Sequence, residues 1–296
     1  MSAFDASKLN LPFMKYRLVA LGLSAVLIVG SLFLLATKGV NLSVDFVGGL
    51  VLQVQFEKAV NVAEIRNTMI KINQGQAVIQ AYDDRDVLVR LQTTGAGDEA
   101  ISKQVLGALE KDFGALKVLK IDKVGPVFGR ELRQQAFIAV TLSILGILGY
   151  MAFRFSFRFG VSAVLSLVHD AIIMLGVYSL TGREISTSFI AAILTVIGYS
   201  LNDSIVVLDR IRENWGSVRS VGIVDLVNNS INQTLSRTIN TSLTTLLPVL
   251  AMFFLGGEVI SNLAFAFLVG IGVGTYSSIY IASAVLVEWY ERSPKH

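Results

Sequence analysis

Long apolar runs alternate with polar segments along this chain. A membrane-spanning helix requires roughly 17–25 apolar residues, and six runs approach or meet that length. They cover residues 18–36, 136–153, 160–180, 185–208, 243–255 and 263–287. The fifth run is short and contains Pro248, so it spans only if its helix takes in residues 240–242; a buried or re-entrant segment is the alternative. The pattern predicts an α-helical polytopic membrane protein with six transmembrane helices.

A long polar insert, residues 38–134, separates the first two runs. Residues 50–56 alternate apolar and polar positions, as in a half-buried strand. Asn61 and Glu64 resemble a capping box that opens a helix to about residue 73, and Asp98 is expected to cap a second helix to about residue 113. The other strands are predicted at 77–82, 87–92 and 116–124. The order βαββαβ predicts an α+β, ferredoxin-like domain.

A further strand is expected in front of this domain, at residues 41–46, with a turn at Gly48–Gly49. The insert contains no histidine cluster, paired carboxylates or phosphate-binding glycines. We therefore interpret it as a binding or docking module and not as an enzyme. A ferredoxin-like fold by itself does not define a function.

Composition agrees with a membrane protein, because 53% of the 296 residues are hydrophobic and only 16% are charged. Soluble domains have roughly 25% charged residues. The chain has no cysteine, which excludes disulfides, thiolate metal sites and thiol nucleophiles. The net charge of +3 gives no reason to expect nucleic-acid binding. No cofactor or metal is predicted.

The distribution of Lys and Arg predicts the orientation, because short cytoplasmic loops are enriched in them. Arg183 is alone in the short loops on one side of the predicted spans. On the other side are eleven basic residues: Lys8, Lys15, Arg17, Arg154, Arg158, Arg210, Arg212, Arg219, Arg237, Arg292 and Lys295. Both termini are therefore expected in the cytoplasm. The first run lacks a small-x-small cleavage pattern and is interpreted as an uncleaved anchor.

Three regions follow from these expectations. Residues 1–37 would form the cytoplasmic N-terminus and the first span, and residues 38–134 the extracytoplasmic (periplasmic) domain. Residues 135–296 would form spans two to six, with a cytoplasmic loop at 209–239 and a cytoplasmic C-terminus. Within that loop, apolar residues at helical spacing predict an amphipathic helix on the membrane surface at 224–235.

Three ionisable residues, His169, Asp170 and Asp203, lie inside predicted spans. Charge is costly in hydrocarbon, so such residues indicate functional sites; a hydrogen bond between packed helices, with the acid protonated, is the alternative. With Asn202, on the polar side of the fourth span, they are candidates for a proton relay. Counted from the turn after residue 180, the two carboxylates differ in depth by about 12 Å. That separation argues against an aspartyl protease dyad.

The fourth run ends in charged residues that include Asp209, Arg210 and Arg212. Asp209 with Arg212, and Arg210 with Glu213, have the i,i+3 spacing of helical ion pairs. A solvated helix end anchored by arginines is the simplest interpretation of this segment. No Lys or Arg is expected in the interior of any span, so His169 is the only expected basic group near the two acids.

Residues 198–214, GYSLNDSIVVLDRIREN, resemble the fourth-span signature of the SecD/SecF family of bacterial protein-export membrane proteins. This segment begins at Gly198, and the resemblance covers nearly the whole chain. Residues 44–49, VDFVGG, resemble the family's D-F-T-G-G element, which contains Asp45, Gly48 and Gly49; Val47 replaces the usual Thr. Further resemblances are carried by residues 124–132, 167–170 and 274–280.

The resemblance implies half of a pump related to the resistance-nodulation-division (RND) transporters, located in the bacterial inner membrane. It implies a heterodimer with SecD, and contacts with the SecYEG channel, YajC, YidC and the preprotein substrate. In that picture the proton gradient drives movements of the external domain that pull preprotein out of the channel. Six spans and one insert resemble a separate subunit more than a fused twelve-span protein.

Three alternatives remain open beside this resemblance. One is half of a proton-driven small-molecule exporter of the RND type, for which a large apolar pocket in the external domain would be expected. Another is an intramembrane aspartyl protease, which the residues around Asp203 do not favour. The third is a structural membrane scaffold, in which neutralising Asp203 would have no effect.

Overall fold

The computed structural model describes residues 11–81, 83–93 and 97–292. Tyr82, where a predicted strand ends, and the terminal Lys8 and Lys295 of the charge count lie outside these residues. In chain order the elements are α1 (Arg17–Thr37), β1 (Asn41–Leu42), α2 (Val44–Val47), β2 (Gly49–Phe56), α3 (Val62–Lys71), β3 (Val78–Ala81), β4 (Asp86–Leu91), α4 (Asp98–Phe113), β5 (Leu116–Val124), α5 (Pro126–Arg154), α6 (Phe157–Thr181), β6 (Glu184–Ile185), α7 (Thr187–Glu213), α8 (Val218–Val221), α9 (Ile223–Leu255), α10 (Glu258–Ser277) and α11 (Ser283–Arg292).

Six helical segments of the described chain are long and apolar enough to cross a membrane. They are α1, α5, α6, α7 continued into α8, α9, and α10 joined to α11. A π-helical stretch, Ser278–Ala282, makes the last of these joins. The six-span membrane fold predicted from the apolar runs is confirmed.

The insert folds as β2–α3–β3–β4–α4–β5, which is the predicted βαββαβ order. Its strands form one antiparallel sheet in the order β3-β4-β2-β5. The alternating residues of β2, Leu50, Leu52, Val54 and Phe56, are buried against α3 and α4. The Asn61 side chain accepts a hydrogen bond from the Ala63 N–H and caps α3. Asp98, predicted as a cap, is instead the first residue of α4.

The strand predicted at 41–46 is wrong beyond Leu42. Asn41–Leu42 pairs in parallel with β6, the short strand between α6 and α7. Val44–Val47 forms the helical turn α2, which buries Val44 and Phe46. This turn packs against the start of α5 at Gly129, where a Cβ atom would lie 2.7 Å from the Phe46 carbonyl oxygen. Tertiary packing therefore overrides the local alternation.

Helix α9 also differs from the prediction. The expected surface helix at 224–235 and the fifth span are one continuous helix, Ile223–Leu255, which includes Pro248. Val227, Ile231 and Leu235 are buried in a core shared with other helices. Their apolar side therefore packs inside the bundle and does not lie on the membrane surface.

Helix α6 is the most buried span of the described chain and α5 is the least buried. Glycines allow two close helix contacts around this centre. A Cβ atom at Gly176 of α6 would lie 2.8 Å from the Ser31 Cα of α1, and one at Gly274 of α10 would lie 3.0 Å from the Ser200 Cβ of α7. These contacts bring α1, α6, α7 and α10 together.

Candidate functional site

The four central helices enclose a buried polar group, which we call the Asp170 cluster: Ser24 of α1, His169 and Asp170 of α6, Ser200 of α7, and Tyr276 and Ser277 at the end of α10. Asp170 is 0% exposed. One carboxylate oxygen, Oδ2, accepts hydrogen bonds from Ser200 Oγ at 2.5 Å and Ser277 Oγ at 2.8 Å. The other, Oδ1, lies 2.9 Å from His169 Nδ1. Asp170 therefore joins three helices.

The hydrogen-bond chain beyond His169 determines where its protons lie. The Tyr276 hydroxyl donates to the Ala20 carbonyl at 2.9 Å, so the Ser24 hydroxyl, 3.0 Å away, must donate to Tyr276. The Ser24 oxygen then accepts from His169 Nε2 at 3.2 Å. Nε2 therefore carries a proton. The hydrogen bond between His169 Nδ1 and Asp170 Oδ1 needs a further proton, which lies either on Nδ1 or on the carboxylate. The pair is thus net neutral and shares one proton.

Asp203 is the second buried acid, with 2% of its surface exposed. Its Oδ2 atom is enclosed and has no hydrogen-bond partner among the described residues. The adjacent Ser204 hydroxyl lies 3.4 Å from that of Ser166 on α6. A buried acid oxygen without a partner is costly, and such groups occur where a function requires them.

The predicted depth difference of about 12 Å between the two acids is too large. Ser200 contacts the Asp170 carboxylate directly, and Asp203 follows Ser200 by one turn, which is about 4.5 Å along α7. The estimate counted residues 185–186 as helix, although α7 begins at Thr187. It also ignored the tilt of side chains toward the N-terminus of each helix, which brings the side chains of antiparallel helices closer in depth.

Asn202 and Gly198 do not join the buried acids. Both are exposed on another side of α7. Asn202 lines an open polar cleft of about 450 Å³ between α7 and α9, together with Asp209, Arg210 and Arg237. Ala191 and Thr195 lie on the same exposed side, and a Cβ atom at Gly198 would meet nothing within 4 Å.

Arg237 is the residue that the sequence reasoning missed. It was placed in a cytoplasmic loop, but it lies within α9 and lines the polar cleft with Asn202, the residue that precedes Asp203. His169 is therefore not the only basic group near the acids. The signal was present in the sequence, because residues 223–247 contain no Gly or Pro that would end a helix.

The two predicted ion pairs at the charged end of α7 are present. Asp209 lies 2.7 Å from Arg212, and Arg210 lies 2.7 Å from Glu213. Asp209 also pairs with Arg154 from the end of α5 at 3.2 Å. These groups are partly exposed and form a rim that ties α5 to α7, separate from the Asp170 cluster.

Asp45 connects the insert to the start of α7. Its Oδ2 atom accepts hydrogen bonds from the Thr187 backbone N–H at 3.2 Å and the Thr187 hydroxyl at 3.0 Å. Gly48 and Gly49 follow with φ angles of 84° and 153°. At Gly49 a Cβ atom would overlap the Leu91 carbonyl of β4. The glycine pair therefore lets the chain turn into strand β2 while the Asp45 side chain remains hydrogen-bonded to the first residue of α7.

A second connection joins the insert to the short segment between α6 and α7. Arg90 of β4 forms a largely buried ion pair with Glu184 of β6 at 3.2 Å. Together, Asp45 and Arg90 fix the insert to both ends of the short segment between α6 and α7.

These features define a polytopic membrane protein with acids buried between its helices and an α+β domain fixed to one end of the helix bundle. The description "Protein export membrane protein SecD/SecF, C-terminal" matches residues 104–292, and "SecD/SecF GG Motif" matches residues 33–60, which include Asp45. The chain belongs to the SecD/SecF family of protein-export membrane proteins.

Similar proteins agree with this assignment. The protein translocase subunit SecF of Desulfurispirillum indicum is 43% identical over 291 residues, covering 95% of this chain and 92% of that protein. The translocase subunit SecDF of Thermus thermophilus is 46% identical over 290 residues, covering 94% of this chain but 38% of that protein. The crystal structure of the Thermus SecDF, described as a translocon-associated membrane protein, has a TM-score of 0.83 at 43% identity and covers 97% of this chain and 39% of that one. The chain thus spans about two-fifths of SecDF.

Proposed function

We propose that this chain is an auxiliary subunit of the Sec protein-export machinery and has no enzymatic role. With SecD, it uses the proton gradient to drive late steps of preprotein translocation across the bacterial inner membrane, where both its termini face the cytoplasm. The translocase relatives support the export role. The fused SecDF, in which this chain matches about two-fifths of the length, supports SecD as the partner.

The observation that carries the proton-driven step is the pairing of two different buried acids. Asp170 and His169 share one proton, while Asp203, one turn further along α7 from Ser200, has an acceptor oxygen with no described partner. A proton that leaves the pair can be accepted at Asp203. Buried acids at successive depths in a transporter form such relays.

The connection to work on the preprotein runs through α7. This helix is continuous from Thr187 to Glu213 and carries Ser200 and Asp203 on its buried side. Asp45 holds its first residue to the glycine pair that enters the insert. A shift of α7 that follows protonation of Asp203 therefore moves the external domain.

The small-molecule exporter is less well supported. A cavity of about 590 Å³ at the base of the insert is lined by polar and charged groups that include Asp45, Arg66 and Arg90. An exporter of apolar compounds would need an apolar pocket there.

The proposed assembly also includes SecYEG as the source of the preprotein, with YajC and YidC as further contacts.

The test is the substitution Asp203→Asn, which keeps the side-chain volume and removes the titratable proton. We expect gradient-stimulated export of a preprotein to be lost in vesicles that contain this chain, SecD and the channel. Translocation without a gradient should be unchanged. Asp170→Asn should lose part of the stimulation, because His169 and the two serines would remain.

Glu213→Gln is the matched control, since Glu213 lies on the same helix but is exposed and outside the buried group. It should retain full stimulation. Equal activity of Asp203→Asn and Glu213→Gln would contradict the relay and favour a scaffold role. Stimulation by a sodium gradient in place of a proton gradient would show that the coupled ion had been assigned wrongly.

A further inference from the structure

An apolar groove lies between α5, α6 and α7 on the outside of the helix bundle. It has a volume of about 280 Å³, and its fourteen lining residues are all apolar. A second cavity of about 250 Å³ continues it toward the insert, and the two share Val140, Ile185 and Ile190. Small-ligand sites have volumes of roughly 300–1,000 Å³. The two cavities together form one site of that size.

The groove faces lipid. Helix α5 is the least buried span of the described chain. Its Phe137, Ile138, Leu142 and Leu145 are exposed, large and apolar. Large apolar side chains on the outside of a spanning helix are typical of a surface that contacts lipid. The groove lies beside this surface, and the small side chain of Ala171 on α6 is part of its lining.

The length of the groove matches one leaflet. Its outer end is at Ile185, beside the insert, and its inner end is at Ile197, ten residues into α7 after Thr187. Ten helical residues correspond to about 15 Å. The hydrocarbon core of a bilayer is about 30 Å thick, so the groove spans the half on the side of the insert. A single acyl chain has this reach.

Arg133 supplies a charge at the outer mouth. It lines the second cavity beside Phe137 and Ala136. It is exposed and forms no ion pair with any described residue. None of the described residues that line this cavity with Arg133 is acidic. A guanidinium above an apolar groove at the membrane surface complements a phosphate above an acyl chain.

We propose that this groove binds one acyl chain of an anionic phospholipid from the leaflet on the side of the insert, with its headgroup phosphate at Arg133. The lipid fills the space between α5 and the α6–α7 pair. This site is distinct from the buried acids and does not depend on the export role.

The test uses phosphatidylglycerol that carries a diazirine in the middle of one acyl chain, with the full chain reconstituted in vesicles. After illumination, labelled residues are mapped by mass spectrometry. We expect labelling to concentrate on the groove residues of α5, α6 and α7, and to be weaker with a phosphatidylcholine probe of the same design. Loss of one basic contact at the membrane surface corresponds to about fivefold weaker binding, so Arg133→Gln should reduce groove labelling by about that factor.

Arg130→Gln is the matched control, because Arg130 is exposed on α5 one turn before Arg133 but does not line either cavity. It should leave the labelling unchanged. Ala171→Phe fills the groove without a change of charge and should abolish its labelling. Labelling spread evenly over the exposed faces, equal labelling by both probes, or loss of groove labelling when SecD is present would each overturn the proposal.

Discussion

At the scale of single residues, the hydrogen bonds around His169 decide how many protons the buried pair holds. The series of hydrogen bonds from His169 through Ser24 to Tyr276 ends at the Ala20 carbonyl, which can only accept a hydrogen bond. Because this carbonyl must accept, the donor and the acceptor of each hydrogen bond in the series are determined. Two serines that donate to Asp170 complete the arrangement. The two serine hydroxyls and the proton shared with His169 therefore satisfy both carboxylate oxygens of Asp170.

The serine contacts should contribute measurably to stability. Ser200→Ala leaves the Asp170 Oδ2 atom with one donor in place of two, and losing a buried partner costs about 1–3 kcal/mol. We expect this loss in the free energy of unfolding in mild detergent. Thr195→Ala is the control on the same helix, because the exposed Thr195 hydroxyl donates to the Ala191 carbonyl one turn earlier and not to Asp170. Equal stability of the two variants would mean that Ser200 does not donate to Asp170.

A second residue-scale prediction concerns the insert. The Thr68 hydroxyl donates to Asp112 at 2.7 Å and, with a smaller contribution from Lys71, lowers the pKa of Asp112 below its ordinary 3.8. A lowered pKa in the folded state stabilises the fold above the ordinary value, and this stabilisation is lost as the pH falls through the lowered one. Thr68→Val should therefore destabilise the insert at neutral pH and make its stability less sensitive to acid.

Hydrogen exchange in peptides from α3 and α4, corrected for the intrinsic effect of pH, measures this stability. Asn67→Ala is the control, because Asn67 is an exposed neighbour on α3. It should keep the acid sensitivity of the unsubstituted chain. A Thr68→Val variant with unchanged acid sensitivity would show that the hydroxyl does not stabilise the ionised Asp112.

At the scale of elements, periodicity predicted the spans and the βαββαβ order because burial in lipid or in a sheet core imposes those periods. It did not predict the short elements β1 and α2, which lie between the first span and the sheet. Asn41–Leu42 becomes a strand and Val44–Val47 a helical turn only because β6 and α5 lie beside them. Both neighbours are distant in sequence, so the residues around 41–47 do not indicate them.

The same limit applies to the site. Asp170 and Asp203 stand out in the sequence, since charge in an apolar run is costly. Ser24, Ser200 and Ser277 do not stand out, because serine is tolerated in many spans. The contacts of Ser200 and Ser277 with the Asp170 carboxylate, and of Ser24 with His169, depend on the order in which the helices pack. Arg237 was missed because the apolar run of the fifth span begins later than its helix does.

Two glycines provide a matched test of the helix packing. At Gly176→Ala the new methyl group would overlap Ser31 of α1, and overpacking of this kind typically costs about 1–3 kcal/mol. At Gly198→Ala it would meet nothing within 4 Å, and removing a helical glycine gains roughly 0.5–1 kcal/mol. We expect the two variants of the isolated chain to shift the unfolding midpoint in opposite directions. A midpoint for Gly176→Ala equal to that of the unsubstituted chain would contradict the close α1–α6 contact.

At the scale of the whole molecule, the buried and exposed polar groups of α7 have different partners. Asp203 faces the interior of this chain, while Ala191, Thr195, Gly198 and Asn202 face outward. Small and polar residues on an outward face allow another helix to approach closely. Transporters built from two similar halves place such faces together at the midplane. The exposed side of α7 is therefore the surface that we expect SecD to cover.

Because the chain has no cysteine, single cysteines introduced at Thr195 or Asn202 report this contact directly. Both residues are exposed and lie two helical turns apart on α7. We expect each to form a disulfide or a short-linker crosslink with a cysteine in the corresponding span of SecD in native membranes. Leu145→Cys, on the exposed face of α5, is the control and should remain uncrosslinked. Crosslinks found only between two copies of this chain would indicate a homodimer and overturn the proposed pairing with SecD.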